Sequence, residues 1–173
     1  MTLFGLLGLE VRALGREDVA EIDALLGRCA DFIRISEGHD PAAGDGLRLL
    51  EERPLSAPDL DKLVLGLYDG PCLIGLVDVL GDYPEPGVWD LGLMLIEPQR
   101  RRAGIGAALQ AALGDWIASQ GGRALRLGVV EQDAAAHRFW ARQGFADIAQ
   151  TDQDVGPFRR RVFWMERPIS AVG

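Results

Sequence analysis

Cysteine is nearly missing from this chain. Its 173 residues hold two, Cys29 and Cys72, far apart and in no C-x-x-C pair. That argues against a disulfide framework and against a cysteine zinc site. The two histidines, His39 and His137, are also far apart, so no metal site is expected. Long apolar runs are missing too. The opening Leu3–Leu9 stretch is apolar, but it is too short to span a bilayer and lacks a positive leader. A cytoplasmic protein that does not enter a membrane is expected. Positive charge is scarce: 18 Lys and Arg against 26 Asp and Glu leave a net charge of −8. A nucleic-acid-binding domain shows a basic face. Here the only basic clusters are Arg100–Arg102 and Arg159–Arg161, so no nucleic acid partner is expected. An acidic protein attracts cations, which points to a cationic or neutral amine as a partner. There is no internal repeat, low-complexity tract or linker.

What is present suits a folded protein. Hydrophobic residues make up 48% of the chain and charged residues 25%, as in soluble globular proteins. The length suits one domain, residues 1–173, with a core over roughly 9–168. The stretch Val88–Leu113 organises it. Leu91–Ile96 is an apolar run of strand length, and Pro98 stops it from continuing. Arg100–Arg102, Gly104 and Gly106 follow. Then Ile105, Leu109, Leu113 and Trp116 recur at helical spacing. The order is strand, basic glycine-containing loop, helix. The first turn of a helix has N–H groups with no internal partner, at the positive end of the helix dipole. Glycine lets a ligand come close, and arginine adds charge that can fork onto phosphate oxygens. The loop reads as a pyrophosphate cradle.

Two familiar phosphate loops fail against it. A P-loop ends in Gly-Lys-Ser/Thr, and Ile105-Gly106-Ala107 stands there instead. A dinucleotide fingerprint needs a small third residue, and Leu109 occupies that place. The pattern that remains is R-x-x-G-x-G at Arg101, Gly104 and Gly106. It resembles the acyl-CoA loop of the GNAT superfamily of N-acetyltransferases, Q/R-x-x-G-x-G/A. The apolar strand and Glu97-Pro98 match that family's usual run-in.

The other segments follow the same order. Leu9–Leu14 alternates as a half-buried strand, and Glu17-Asp18 opens a helix striped by Val19, Ile22, Leu25 and Leu26. Phe32, Ile33 and Ile35 show no clear period, and a second helix is expected over Leu47–Glu52. Lys62–Tyr68 and Cys72–Leu80 form a hairpin about Asp69-Gly70-Pro71. After the central strand and its helix come a strand at Arg123–Val130, a helix at Ala134–Gln143 closed by Gly144, and a final hairpin, Ala146–Val155 with Phe158–Met165. A parallel return is expected across the long helix. The reading is a mixed α+β fold, and the resemblance implies a twisted, largely antiparallel sheet of about seven strands. One parallel pair would sit at its central split, with about four helices on its two sides. The final strands are available to pair with a second subunit, as in a homodimer.

A second signature lies at Val129–Phe145. Where the family often has Asn, Ala, Tyr and Gly-Phe, this chain has Asp133, Ala136, Trp140 and Gly144-Phe145. Trp140 has an indole N–H but no usable pKa, so it cannot protonate a leaving thiolate as the family's Tyr does. A CoA thiol can leave as thiolate and take a proton from water. Asp133 loses a donor relative to Asn and is placed to cap the helix at Ala134.

The resemblance implies that an amine attacks the thioester of acetyl-CoA directly. The backbone N–H of Met94 would face the acetyl oxygen, and Leu95 and Ile96 would pair with pantetheine. Arg101, Arg102, Ala103, Gly104, Ile105, Gly106 and Ala107 would hold the pyrophosphate, with Asp133 and Trp140 nearby. Histone acetyltransferases of the superfamily carry a Glu on the central strand. Counted from the loop glycines, that place here is Asp90, the first candidate for the base. Desolvation beside Trp89 and Leu91 would suit it to that role. Asp78, Glu85 and Glu131 are further candidates. The acceptor amine, of a small molecule or a peptide, would enter near Phe32–Leu60, where Glu37, Asp40, Asp45, Glu51 and Glu52 give an acidic balance. A non-catalytic acyl-CoA-binding module is the alternative left open by Trp140 and Asp133.

Overall fold

The computed structural model describes residues 2–170. In chain order its elements are β1 (Thr2–Leu6), β2 (Leu9–Ala13), α1 (Val19–Arg28), α2 (Ala30–Ser36), α3 (Asp45–Glu51), β3 (Lys62–Asp69), β4 (Cys72–Leu80) and β5 (Val88–Ile96). Then come α4 (Ile105–Ser119), β6 (Ala124–Val130), α5 (Ala134–Arg142), β7 (Ala146–Val155) and β8 (Phe158–Pro168). All eight strands form one sheet, in the order β1-β2-β3-β4-β5-β6-β8-β7. Only β5 and β6 run parallel. The mixed, largely antiparallel sheet with its parallel pair is as expected, with one strand and one helix more than the sequence suggested.

Both additions have local causes. The apolar opening stretch is half of a hairpin: Leu6 pairs with Leu9 and Gly5 with Glu10. Leu7 and Gly8 form the turn, both at positive φ (51° and 79°), the conformation that matches strand twist in a two-residue loop. The extra helix is α2. Cys29 leaves helical geometry (φ −99°, ψ 24°) between α1 and α2, so the apolar period slips there and the stripe does not carry through.

Helices cover both faces. On one, Ile105, Leu109, Leu113 and Ile117 of α4 pack on Val77, Val79, Leu91, Leu125 and Leu127. On the other, Ile22, Leu25 and Leu26 of α1 and Ile33 of α2 pack on Val64, Leu76, Leu93 and Leu95. No helix among the described residues is long and apolar enough to cross a membrane.

Two features of β5 build the site. Asp78 pairs with Leu93 and Val79 with Leu91, so Gly92 is an extra residue, a bulge. Trp89 and Leu91 before it face α4, Leu93 and Leu95 after it face α1 and α2, and Met94 and Ile96 face α4 again. The second feature is a parting of strands. β5 and β6 pair only through Val88–Leu91 and Ala124–Leu127. β6 keeps its partner β8 as far as Val130, so the gap opens on its β5 side alone.

Candidate active site

Past Leu91 the two strands enclose a cavity of about 150 Å³. Gly92–Met94 forms one wall and Gly128–Val130 the other, with Asp133, Ala136 and Trp140 of the α5 segment and Phe32, Ser36 and Glu37 around them. A second cleft, of about 540 Å³, shares Phe32 and Met94 with the first and runs on to the glycine loop. Its walls are Leu95, Ile96, Arg101, Arg102, Gly104, Gly106 and Ala107 on one side and Ala135, Arg138, Phe139 and Arg142 on the other.

The loop has the geometry of an anion cradle. Arg102 and Gly104 both take positive φ (61° and 78°), a bend that turns successive N–H groups to one side. The first helical bond of α4 is from Ala108 N–H to Gly104 carbonyl, which leaves the N–H groups of Ile105, Gly106 and Ala107 without a helical partner. No side chain caps this end and no acidic residue sits in its first turn. The helix dipole here is uncompensated from within the protein.

Most of the expected residues converge. Met94, Leu95, Ile96, Arg101, Arg102, Gly104, Gly106 and Ala107 line one cleft, and Asp133 and Trp140 line the inner cavity that opens from it. Ile105 instead points into the core at 9% exposure, and Ala103 is exposed beside the cleft. The three arginines differ. Arg100 pairs with Asp69 and Glu97. Arg101 donates to Asp31 and to the Ile96 carbonyl while lining the cleft. Arg102 has no ion pair among the described residues and is exposed. Trp140 is 7% exposed. Its ring meets Phe139 and Phe145 edge-on, centroids 4.9 and 5.1 Å away. Asp133 caps α5 by accepting from Ala136 N–H at 2.9 Å.

Asp90 lies below the bulge, opposite Arg126 in the part of β5 still paired with β6, and outside the residues that line these cavities. Burial, and then the charge of Asp78, push its carboxyl up to about 7. Glu85 is drawn away to Arg123 and Arg126.

Sequence reasoning gave no specific role to four contributors. Arg138 and Arg142 face the loop across the cleft. Their signal was available, since Ala135, Arg138, Phe139 and Arg142 recur at helical spacing on one face. Phe32 stands where the two cavities meet. Glu37, read only as one of several acidic residues, is half-buried on the wall of the inner cavity. Burial raises its pKa, against the pull of His39 and Arg48. Ser36, Glu37, Gly92 and Leu93 also line a third cleft, of about 500 Å³, which holds Asp78, Glu52 and Asp154. The β7–β8 turn closes that cleft. A Cβ added to Gly156 would stand 2.6 Å from the Glu37 carbonyl.

A profile of the acetyltransferase (GNAT) family matches residues 30–145. The hydrogenase expression/formation protein HupK of Bradyrhizobium diazoefficiens is 30% identical over 79% of this chain and 41% of its own length. The chain thus spans about two fifths of that relative. An acetyltransferase from Thermus thermophilus superposes with a TM-score of 0.75 at 21% identity, covering 98% of this chain and all (100%) of that one. The spermidine N-acetyltransferase of Vibrio cholerae, solved with CoA and spermine, gives 0.71 at 20% identity over 93% and 95% of the two chains. The ribosomal-protein-S18-alanine N-acetyltransferase of Escherichia coli gives 0.65 at 18% identity over 95% and 96%. These structures share the fold, and the profile covers both signatures and the split between β5 and β6. The chain belongs to the acetyltransferase (GNAT) family of acyltransferases.

Proposed function

We propose that this protein, as one catalytic domain over about residues 9–168, transfers the acetyl group of acetyl-CoA to a primary amine in a ternary complex. The observation that carries the reading is the continuity of three cavities. The loop cleft meets the inner cavity at Phe32 and Met94, and the inner cavity meets the acidic cleft at Glu37 and Gly92. Pyrophosphate belongs at the N-terminus of α4, between Arg102 and the Arg138–Arg142 face. Pantetheine runs along Leu95 and Met94, and the thioester reaches the strand gap.

The amine enters from the acidic cleft and attacks the thioester carbon. The developing oxyanion is met by the Met94 N–H. The C–S bond then breaks, and the thiolate departs beside Trp140, whose indole N–H is the available donor. The attacking nitrogen loses a proton to a carboxylate. Glu37 stands on the cavity wall, and Asp90, near 7 behind the bulge, has the proton affinity that suits a base at neutral pH. The acidic third cleft favours a cationic small amine or a peptide amine.

The test is release of free CoA thiol from acetyl-CoA with a panel of amines, beside calorimetry of acetyl-CoA binding. Binding with no thiol released by any amine would leave a non-catalytic acyl-CoA-binding module. Glu37→Gln and Asp90→Asn then locate the base. Its loss lowers turnover by roughly 10²–10⁴, leaves the acetyl-CoA Kd unchanged, and matters less as pH approaches the amine's own pKa.

A further inference from the structure

The chain has a single lysine, Lys62, and it is buried. Its side chain is 5% exposed, and its ammonium sits 3.0 Å from Asp78 Oδ2 and 3.0 Å from the Glu52 carbonyl. Asp78 itself is 8% exposed. Its second oxygen, Oδ1, is buried with no hydrogen-bond partner, and the residue lines the acidic cleft beside Gly92 and Leu93. A carboxylate short of a donor is costly to bury, and Asp78 stands in a cleft wall, where a donating ligand would offset that cost.

Lys62 is the one cation in direct contact with Asp78 among the described residues. Asp78 and Asp90 lie close enough on the same side of the sheet for the charge of one to act on the other, and Lys62 pairs with Asp78 and acts on Asp90 through its charge alone. Arg126, the next cation along, is held by Glu166 at 2.6 Å. Arg53 donates to the carbonyls of Leu50, Glu52 and Leu60 and reaches Asp78 by its charge, without a hydrogen bond. On the cleft wall, Arg48 is shared between Asp45 at 3.1 Å and Glu37 at 3.6 Å, and Asp154 pairs with Arg159. Burial raises the pKa of Asp78 and leaves one of its oxygens without a donor, so a cation on its cleft side would stabilise the carboxylate.

We propose that the Asp78 carboxylate seats a second cationic group of the acceptor, so that the substrate class is an amine with a further ammonium group along its chain. The reacting nitrogen lies at Glu37, where the acidic cleft meets the inner cavity, and the second nitrogen lies on the cleft floor at Asp78. This assignment rests on the acetyl-transfer reading and selects among its acceptors.

The experiment compares diaminobutane and diaminohexane with aminobutanol and aminohexanol, which keep chain length and replace one ammonium with a hydroxyl. In the wild-type protein, the better diamine should exceed its matched amino alcohol by roughly 10–100-fold in kcat/KM, the effect of one charge-assisted hydrogen bond. Asp78→Asn should bring that ratio close to one by lowering diamine turnover far more than amino-alcohol turnover, with acetyl-CoA affinity as it was. A merely structural role would lower both substrates together and leave the ratio alone. Where the single variant does not fold, the double variant Lys62→Met with Asp78→Asn removes both partners of the pair and carries the same expectation. No diamine preference in the wild type, or a preference that survives loss of Asp78, overturns the assignment. If no amine releases thiol, the acetyl-transfer reading fails. Calorimetry of the same four compounds then still decides the cation site, and equal binding of diamine and amino alcohol overturns it.

Discussion

Asp31 accepts two hydrogen bonds from the Arg101 guanidinium, at 2.6 and 3.2 Å. The Nε of the same group donates to the Ile96 carbonyl at 2.8 Å. One side chain thus ties α2, which carries Phe32 and leads into Glu37, to the last residue of β5. Arg101 is a brace as well as a wall of the cleft, and its neighbour Arg102 is free to meet an anion.

The two arginines should therefore separate experimentally. Arg102→Glu should weaken acetyl-CoA binding by roughly 10–100-fold with little change in the melting temperature. Arg101→Gln should weaken binding and also lower the melting temperature, because it releases α2. Calorimetry and thermal denaturation on both variants decide it. Unchanged affinity in Arg102→Glu would remove the pyrophosphate from this loop.

The loop glycines should also differ. A Cβ at Gly106 would stand 3.5 Å from Phe139 Cζ and 3.6 Å from Met94 Cε, an ordinary contact distance. Gly106→Val should leave folding almost intact while its methyl groups fill the cleft and abolish acetyl-CoA binding. Gly104 has open space around it but a φ of 78°. Gly104→Val should cost about 1–2 kcal/mol of backbone strain, roughly 2–8 °C in melting temperature. Equal melting temperatures for the two variants would refute this division.

Asp90 makes a prediction in pH. Its folded pKa is raised from 3.8 to about 7, so the folded chain holds a proton that the unfolded chain releases. Stability fully present below the lower value is lost as pH rises through the higher one. Asp90→Asn has no such proton. Relative to wild type it should gain stability from about pH 4 to about pH 7 and then level off. Urea unfolding at a series of pH values reads this directly. Parallel profiles would mean that Asp90 is ionised and solvated in the folded chain.

Asp133→Ala removes the oxygen that accepts from Ala136 N–H. An N-cap of this kind is worth about 1 kcal/mol, roughly 2–4 °C here. Fraying should also loosen Arg138 and Arg142, so acetyl-CoA affinity should fall although Asp133 need not touch the ligand. Asp133→Ser, which keeps a cap acceptor, should restore both. Rescue of stability without rescue of affinity would point to direct contact.

What could be read from the chain was local. Arg101, Gly104, Gly106 and the apolar period of α4 lie within one short stretch, and each states its backbone demand without help from elsewhere. The long helix, the hairpin of β3 and β4 and the parallel return of β6 followed from period and punctuation in the same way. The rest depended on distance. The short β1 gains its identity from pairing with β2, α2 is hidden by the break at Cys29, and Glu37 becomes interesting only when the β7–β8 turn closes over it. Asp78 could be named only as one of several further candidates for the base. Its lone oxygen and its lysine partner are facts of three strands brought together.

The extra residue at Gly92 also acts as a parity switch. A strand has a two-residue alphabet, one letter for each face, and an inserted residue exchanges the letters for everything downstream. The half of β5 before Gly92 is spelled for the sheet, with Leu91 locked under α4. The half after it is spelled for the ligand, with Met94 turned toward the loop and Leu93 toward α1 and α2. Deleting Gly92 would leave the composition of the strand almost unchanged and reverse the address of every residue from Leu93 to Ile96.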